Sequence, residues 1–187
     1  MTRNSITSTS RLEAAKAWLA QGIQVVPLIP GQKRPRLELK SWLEGLDEAK
    51  LNSHWQRYPY DDVSILPSEG LVILDADTDQ SLAALVALEQ KHGIAPTLVV
   101  KTRKGQHHYF AVPSGTVVRS NSHSTEAHPE RIDVRTGRNQ VVIAPSTGKS
   151  VQTCLSGEMS DMANVSQTFI DDLDRHNGRS RVELEDV

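Results

Sequence analysis

The sequence predicts one α+β domain, and three observations carry that prediction. Apolar residues recur at helical spacing behind capping signals in the first hundred residues. Runs rich in β-formers and punctuated by glycine dominate the second half. A chain of 187 residues, 37% hydrophobic and 24% charged, suits one core with at most a small appendage, not a disordered or fibrous protein.

Each element follows from local signals. Ser10-Arg11-Leu12-Glu13 has the form of a capping box, and Leu12, Ala15, Trp18 and Leu19 make the apolar stripe of a helix that Gly22 stops. Ile23 to Leu28 is β-rich but broken at Pro27, so it is an edge strand or one that ends there. A Pro/Gly/basic loop follows, Pro30 to Arg36. Asp47 caps a helix whose Leu51, Trp55 and Tyr58 share a face, and a loop with Pro59 and Pro67 leads into a strong strand, Leu71 to Asp75. Asp79 or Ser81 opens a helix carrying Leu82, Leu85, Val86 and Leu88, and Gly93 closes it. Leu98 to Thr102 and His107 to Val112 read as strands around a turn containing Gly105. Residues 113–130 are polar and irregular. Arg131 to Arg135 and Gln140 to Ala144 read as a second hairpin around Gly137-Arg138-Asn139. Residues 151–187 form an acidic tail with a helix near Val165 to Leu173, expected to pack on the core.

Composition excludes some function classes. The balance of 21 Lys+Arg against 23 Asp+Glu rules out a uniformly basic coat for non-specific DNA binding. Aromatics at 4% argue against wide base-stacking platforms. Charge is uneven, however: successive quarters carry +3, −5, +5 and −5, so two positive segments could converge on one phosphate-binding face. The single cysteine, Cys154, excludes an intramolecular disulfide and a paired-cysteine zinc ribbon. The start has no apolar leader and no apolar stretch approaches a membrane span, so the expected location is the cytoplasm, with no membrane partner.

Strand periodicity then selects chemistry. Asp75 and Asp77 point to one side at the end of an apolar strand. In Arg131-Ile132-Asp133-Val134-Arg135 the apolar pair faces one way and Asp133, with its arginines, the other. His107 shares a face with Tyr109, and His108 with Phe110 and Val112. Three carboxylates, one histidine and two arginines can therefore occupy one polar face. Three carboxylates suit two hard cations, Mg²⁺ or Mn²⁺, which bind oxygen and retain substrate phosphates, while a histidine and arginines suit a triphosphate. An Asp-x-Asp pair alone is weak, because such pairs also cap helices.

Order and context add a resemblance. Ala17-Trp18-Leu19-Ala20-Gln21-Gly22 through Val26 to Pro35, Trp55 with Tyr58-Pro59, the Ser64-Ile65 step, Asp-x-Asp, Gly-x-His-x-Tyr-Phe, Ile-Asp-Val-Arg and Val-Val-Ile-Ala-Pro-Ser follow one another over about residues 11–147. Together they resemble the prim-pol family, the bifunctional primase/polymerase branch of the archaeo-eukaryotic primase superfamily. The resemblance implies an archaeo-eukaryotic primase-like catalytic core over residues 1–150, with mixed or antiparallel sheets, an RRM-like half and flanking helices. It implies that Asp75, Asp77 and Asp133 hold two Mg²⁺ or Mn²⁺ ions and that His107 meets the phosphates of the incoming nucleotide. Arg135 stands beside the third carboxylate, Lys33 matches an N-terminal lysine, and Ser146 lies near the nucleotide site. Implied partners are a single-stranded DNA template, a primer and nucleoside triphosphates, with a replicative helicase or replication initiator as a further candidate. Arg103 and Lys104 replace a frequent proline and glycine ahead of the histidine, and add positive charge beside the expected triphosphate. The chain after Ser146 lacks the histidine and aromatics often found there, and no helicase or zinc module follows, so a stand-alone core or a piece of a longer protein is expected.

Other readings are weighed against this one. His123 and His128 with His107 are too irregular, without cysteines, for zinc. Ala144 to Ser150 imitates the end of a P-loop, but Ile143 stands where its first glycine is required. Trp18 and Trp55 read as core anchors, whereas Trp42 beside Lys33, Arg34 and Arg36 is the tryptophan best placed to stack on a base. The remaining alternative is a replication-initiator domain, either catalytically inactive or nicking; nicking needs a His-hydrophobic-His motif that His107-His108 lacks.

Overall fold

The computed structural model describes residues 10–122, 124–137, 139–154 and 159–179. In order come α1 (Arg11–Ala20), β1 (Gln24–Leu28), α2 (Leu39–Leu43), α3 (Glu48–Arg57), β2 (Asp62–Leu66), β3 (Leu71–Ala76) and α4 (Asp79–His92). There follow β4 (Leu98–Lys101), β5 (Gln106–Ala111), β6 (Asp133–Arg135), β7 (Val141–Val142), β8 (Ser150–Cys154) and α5 (Gln167–His176). The expected α+β class is what the chain forms: the described strands make a three-stranded sheet, β1-β2-β7, and a five-stranded sheet, β6-β3-β5-β4-β8. Every pairing between these strands is antiparallel.

The caps act much as the sequence suggests. The Ser10 side chain accepts from the Glu13 N–H, and that of Asp47 from the Lys50 N–H. Thr78, rather than Asp79 or Ser81, is the N-cap of α4, sharing a reciprocal box with Ser81, and Gly93 ends the helix at φ 61°. Strand β1 lies at a sheet edge, where Pro27 costs no ladder hydrogen bond.

Alternation along β3 divides two cores. Leu71 and Ile73 join Tyr109, Leu98 and Val100 against the small sheet and Trp18 of α1. Val72, Leu74 and Ala76 face the other way, with Phe110 and Val134, against Leu85 of α4 and Phe169, Ile170 and Leu173 of α5. The expected helix near Val165 thus packs on the back of the large sheet.

Four expectations are corrected. Residues 131–144 are not a hairpin: β6 pairs with β3 in the large sheet and β7 with β2 in the small one, so the turn at Gly137 carries the chain between sheets. The segment between Pro59 and Pro67 contains β2, whose residues are all buried. Trp42 is 3% exposed and its Nε1–H donates to Val25 O at 2.6 Å, so it anchors the core and stacks on nothing outside. Arg36 is held by Asp61, through Nε at 2.5 Å and Nη2 at 2.7 Å, and its guanidinium lies over the Tyr58 ring, which removes it from the free basic cluster. No helix among the described residues is long and apolar enough to cross a membrane.

Candidate active site

The registers of β3 bring the predicted residues into one row. Asp75 stands opposite Asp133 of β6 on one side and opposite His107 of β5 on the other. Directly opposed residues of antiparallel strands lie with Cα atoms about 4.5–5.5 Å apart, and their side chains leave the same face. Here that face is the one turned toward the small sheet, at the end where the apolar residues stop. Asp77 follows two residues beyond Asp75 and lines the same cleft, as do Lys33, Arg135 and Lys149. His108, one residue on, belongs to the back face: its Nδ1 lies 2.5 Å from Glu89 of α4 and its Nε2 2.9 Å from Gln106 Oε1.

Two adjoining cavities make up the cleft. One, about 250 Å³, is lined by Asp75, Asp77 and His107 and bounded by Lys33, Arg135, Gln140, Val141 and Val142; Asp133 stands behind Arg135, outside its lining. The other, about 210 Å³, lies between the loop after β1, the β4–β5 turn and the turn before β8. Four cations line it, Lys33, Arg103, Lys104 and Lys149, against Asp62 and Asp77. Asp62 is already neutralised: Arg11 lies 3.1 Å from Oδ1, which also accepts from the Thr147 N–H and hydroxyl, and Oδ2 accepts from the Gly31 N–H at 2.7 Å. This buried carboxylate thus fastens two walls of the cavity together and leaves its field positive.

Hydrogen bonds preset some side chains and leave others short. Asp133 accepts from the Ser124 N–H at 2.8 Å and from Arg135 Nη2 at 2.6 Å, while Arg135 Nη1 reaches Ser122 at 2.7 Å. His107 Nε2 lies 3.4 Å from Asp75 Oδ1, an ion-pair distance without hydrogen-bond geometry, and 3.1 Å from Lys149 Nζ. Asp75 Oδ1 and His107 Nδ1 are buried without a hydrogen-bond partner. Burial works to raise the Asp75 pKa, but His107, Lys149 and Arg135 outweigh it and hold the carboxyl below the ordinary aspartate value. For Lys149 burial wins and lowers its pKa, against the pull of Asp75 and Asp77. Beneath the row, burial and then Asp75 push the Tyr109 phenol far above its usual range, so it is a neutral floor.

The donor set fits a hard divalent cation in chemistry: carboxylate oxygens from Asp75, Asp77 and Asp133, with one oxygen of Asp75 unsatisfied. Among the described residues no three of His, Cys, Asp and Glu form a ready-made metal-ligand cluster. His128 is exposed beside Glu130, and His123 lies outside the described residues.

Other predicted residues fall at the rim or outside. Lys33, Arg103 and Lys104 are exposed at the mouth. Ser146 is not in the cleft lining: its buried hydroxyl accepts from the Val63 N–H at 2.7 Å and donates to Val63 O at 3.0 Å, tying the turn before β8 to β2. Sequence reasoning missed Lys149 and Asp62. Lys149 had a signal, a lysine directly after Gly148 at the end of the Ala-Pro-Ser stretch, but only the path of the turn shows that it points at His107.

An α+β core with a carboxylate–histidine row at the foot of a cationic cleft is the class of a primase-like domain. A family model described as bifunctional DNA primase/polymerase, N-terminal (Prim-Pol), matches residues 15–167, and the chain belongs to that family. The comparison with curated proteins finds no match.

Proposed function

We propose that the domain is a template-directed nucleotidyltransferase that makes or extends primers on single-stranded DNA. The observation that carries this reading is the cross-strand row Asp133–Asp75–His107 beside the cationic cavity. The 3′-hydroxyl oxygen of a primer, or of an initiating nucleotide, attacks the α-phosphorus of a nucleoside triphosphate. A new P–O bond forms, the bond to the bridging oxygen of the β-phosphate breaks, and pyrophosphate leaves while the hydroxyl proton passes to solvent. Asp75, Asp77 and Asp133 would hold Mg²⁺ or Mn²⁺, which when bound supplies a more acidic hydroxyl and neutralises phosphate charge. His107, Arg135, Lys33, Arg103 and Lys104 bind and orient the phosphates, chiefly through charge-assisted hydrogen bonds. The template strand lies along the positive segments that meet at the cleft.

A nicking initiator with paired histidines has less support, because His107 and His108 leave opposite faces of β5. The direct test incubates the protein with single-stranded DNA, Mg²⁺ or Mn²⁺ and each labelled nucleotide set, with and without primer. Nucleotide addition is expected. A protein that forms a covalent DNA adduct, or binds DNA without adding any nucleotide, contradicts the reading.

A further inference from the structure

We propose that Tyr60 and the groove beside it form a surface for single-stranded DNA outside the cleft, with the Tyr60 ring stacked on a base. The inference rests on the nucleotidyltransferase reading and names where its template strand lies. Four observations converge on this corner. Tyr60 is 76% exposed, the most exposed of the large apolar side chains described, whereas Trp18, Trp42, Trp55 and Tyr109 are buried. Its backbone is nevertheless fixed: the Asp61 N–H donates to Tyr58 O at 3.1 Å, Trp55 Nε1–H donates to Asp61 O at 3.1 Å, and Arg11 Nη1 donates to Tyr60 O at 2.6 Å. Arg11 also joins this turn to the cleft, because its Nη2 lies 3.1 Å from Asp62 Oδ1 and 3.4 Å from the hydroxyl of Thr147, which lines the cationic cavity. Finally, Arg11 lines an open groove of about 580 Å³ between α1 and α3, together with Leu12, Asn52, Trp55, Gln56 and Pro59.

The chemistry of this corner suits a nucleic-acid strand. Asp61 and Asp62 are both buried and already paired, with Arg36 and Arg11, so neither offers an unpaired negative charge to a phosphate. Arg57 is exposed, lies with its guanidinium 5.4 Å from the Tyr58 ring centroid, and has no carboxylate within ion-pair distance among the described residues. No acidic side chain lines the groove among the described residues, and the exposed amides of Asn52 and Gln56 can each donate to and accept from base edges. An aromatic ring held out in solvent stacks on any base, because every base has a π-face, while cations beside it meet the phosphates. A turn fixed before the strand arrives also loses less freedom on binding. A strand leaving the cleft past Thr147 and Arg11 meets Tyr60 next, so the stacking role expected of Trp42 falls to this tyrosine.

The test uses the full chain without nucleotide and measures binding of a labelled oligothymidylate and of an abasic strand of the same length. Tyr60→Ala is expected to weaken oligothymidylate binding by about fivefold or more, and Tyr60→Trp to stay within about twofold of the parent. On the abasic strand, which keeps the phosphates and lacks the bases, parent and Tyr60→Ala are expected to bind alike. Fluorescence of the Tyr60→Trp protein is expected to be quenched by oligothymidylate beyond the change seen in the parent. Arg57→Gln is expected to lower the slope of log affinity against log salt by about 0.7, while Tyr60→Ala leaves the slope unchanged. Oligothymidylate binding by Tyr60→Ala within about twofold of the parent, or an equal loss on the abasic strand, overturns the proposal. So does a Tyr60→Ala protein that keeps its strand affinity but loses self-association in analytical ultracentrifugation, which assigns the ring to a contact between copies. If the parent extends primers while Tyr60→Ala binds the strand normally, the Tyr60 surface fails and the enzyme reading stands. If the parent binds the strand through Tyr60 but never adds a nucleotide, the enzyme reading fails and the DNA surface stands.

Discussion

At Gly105 a missing side chain shapes the site. A Cβ built there would lie 1.8 Å from Ala76 O and 3.1 Å from Asp77 Cα, so the β4–β5 turn rests directly on the backbone between the two aspartates. The turn is drawn tight by Thr102, whose hydroxyl accepts from the Lys104 and Gly105 N–H groups. Gly105→Ala is expected to cost about 2 kcal/mol or more, because backbone rather than a flexible side chain must yield. It should also displace Asp77, so nucleotide addition falls at least tenfold; urea unfolding and primer extension measure the two effects, and an unchanged pair of values contradicts this packing. Residues of this kind were partly legible. Strand period and motif order together brought out Asp75, Asp77, Asp133 and His107. Lys149 and Asp62 were hidden, because their roles depend on how two turns meet in space, which neither period nor spacing encodes.

Among elements, β5 separates two kinds of histidine chemistry by one residue: His107 enters the cleft, and His108 is spent on Glu89 of α4. Helix α4 is further joined to α5 by Asp172, which contacts Lys91 at 2.6 Å, His92 at 2.8 Å and Arg175. Lys91, then His92, hold the Asp172 carboxyl down to about 2. A carboxyl whose folded pKa is depressed stabilises the fold above its unfolded pKa of about 3.9 and loses that contribution as pH falls through the folded value. The stability gap between the parent and Asp172→Asn is therefore expected to be full at pH 5 and to shrink between about pH 4 and pH 2. Urea midpoints across that range check it, and a constant gap contradicts the ion cluster. Elements were legible where amphipathic period was strong, as in α1, α3, α4 and β3. Strand β2 was masked by its flanking prolines and its opening Asp61-Asp62. Strand β8, Ser150–Cys154, carries mostly polar residues at a sheet edge and showed no apolar alternation. Strands β6 and β7 looked like a hairpin because a glycine turn separates them, and local pattern cannot say which sheet each one joins.

Over the whole molecule, two antiparallel sheets share an apolar core at one end and part at the other, and the parting is the cleft. That arrangement reconciles a net charge of −2 with a phosphate-binding site, since the acidic side chains include the row itself while four cations gather at the adjoining cavity. It also explains the scarcity of aromatics: Trp18, Trp42 and Trp55 are buried, so the cleft offers charge rather than stacking surfaces. The class of fold was legible from period and size, and the match over residues 15–167 agrees with the segments whose order suggested it. The most direct measurement is primer extension by Asp75→Asn and Asp133→Asn proteins beside the parent, with circular dichroism confirming that each variant is folded. Loss of nucleotide addition by at least a thousandfold in both, with the fold intact, is the predicted result; full activity in either would contradict the assignment of this row as the catalytic centre.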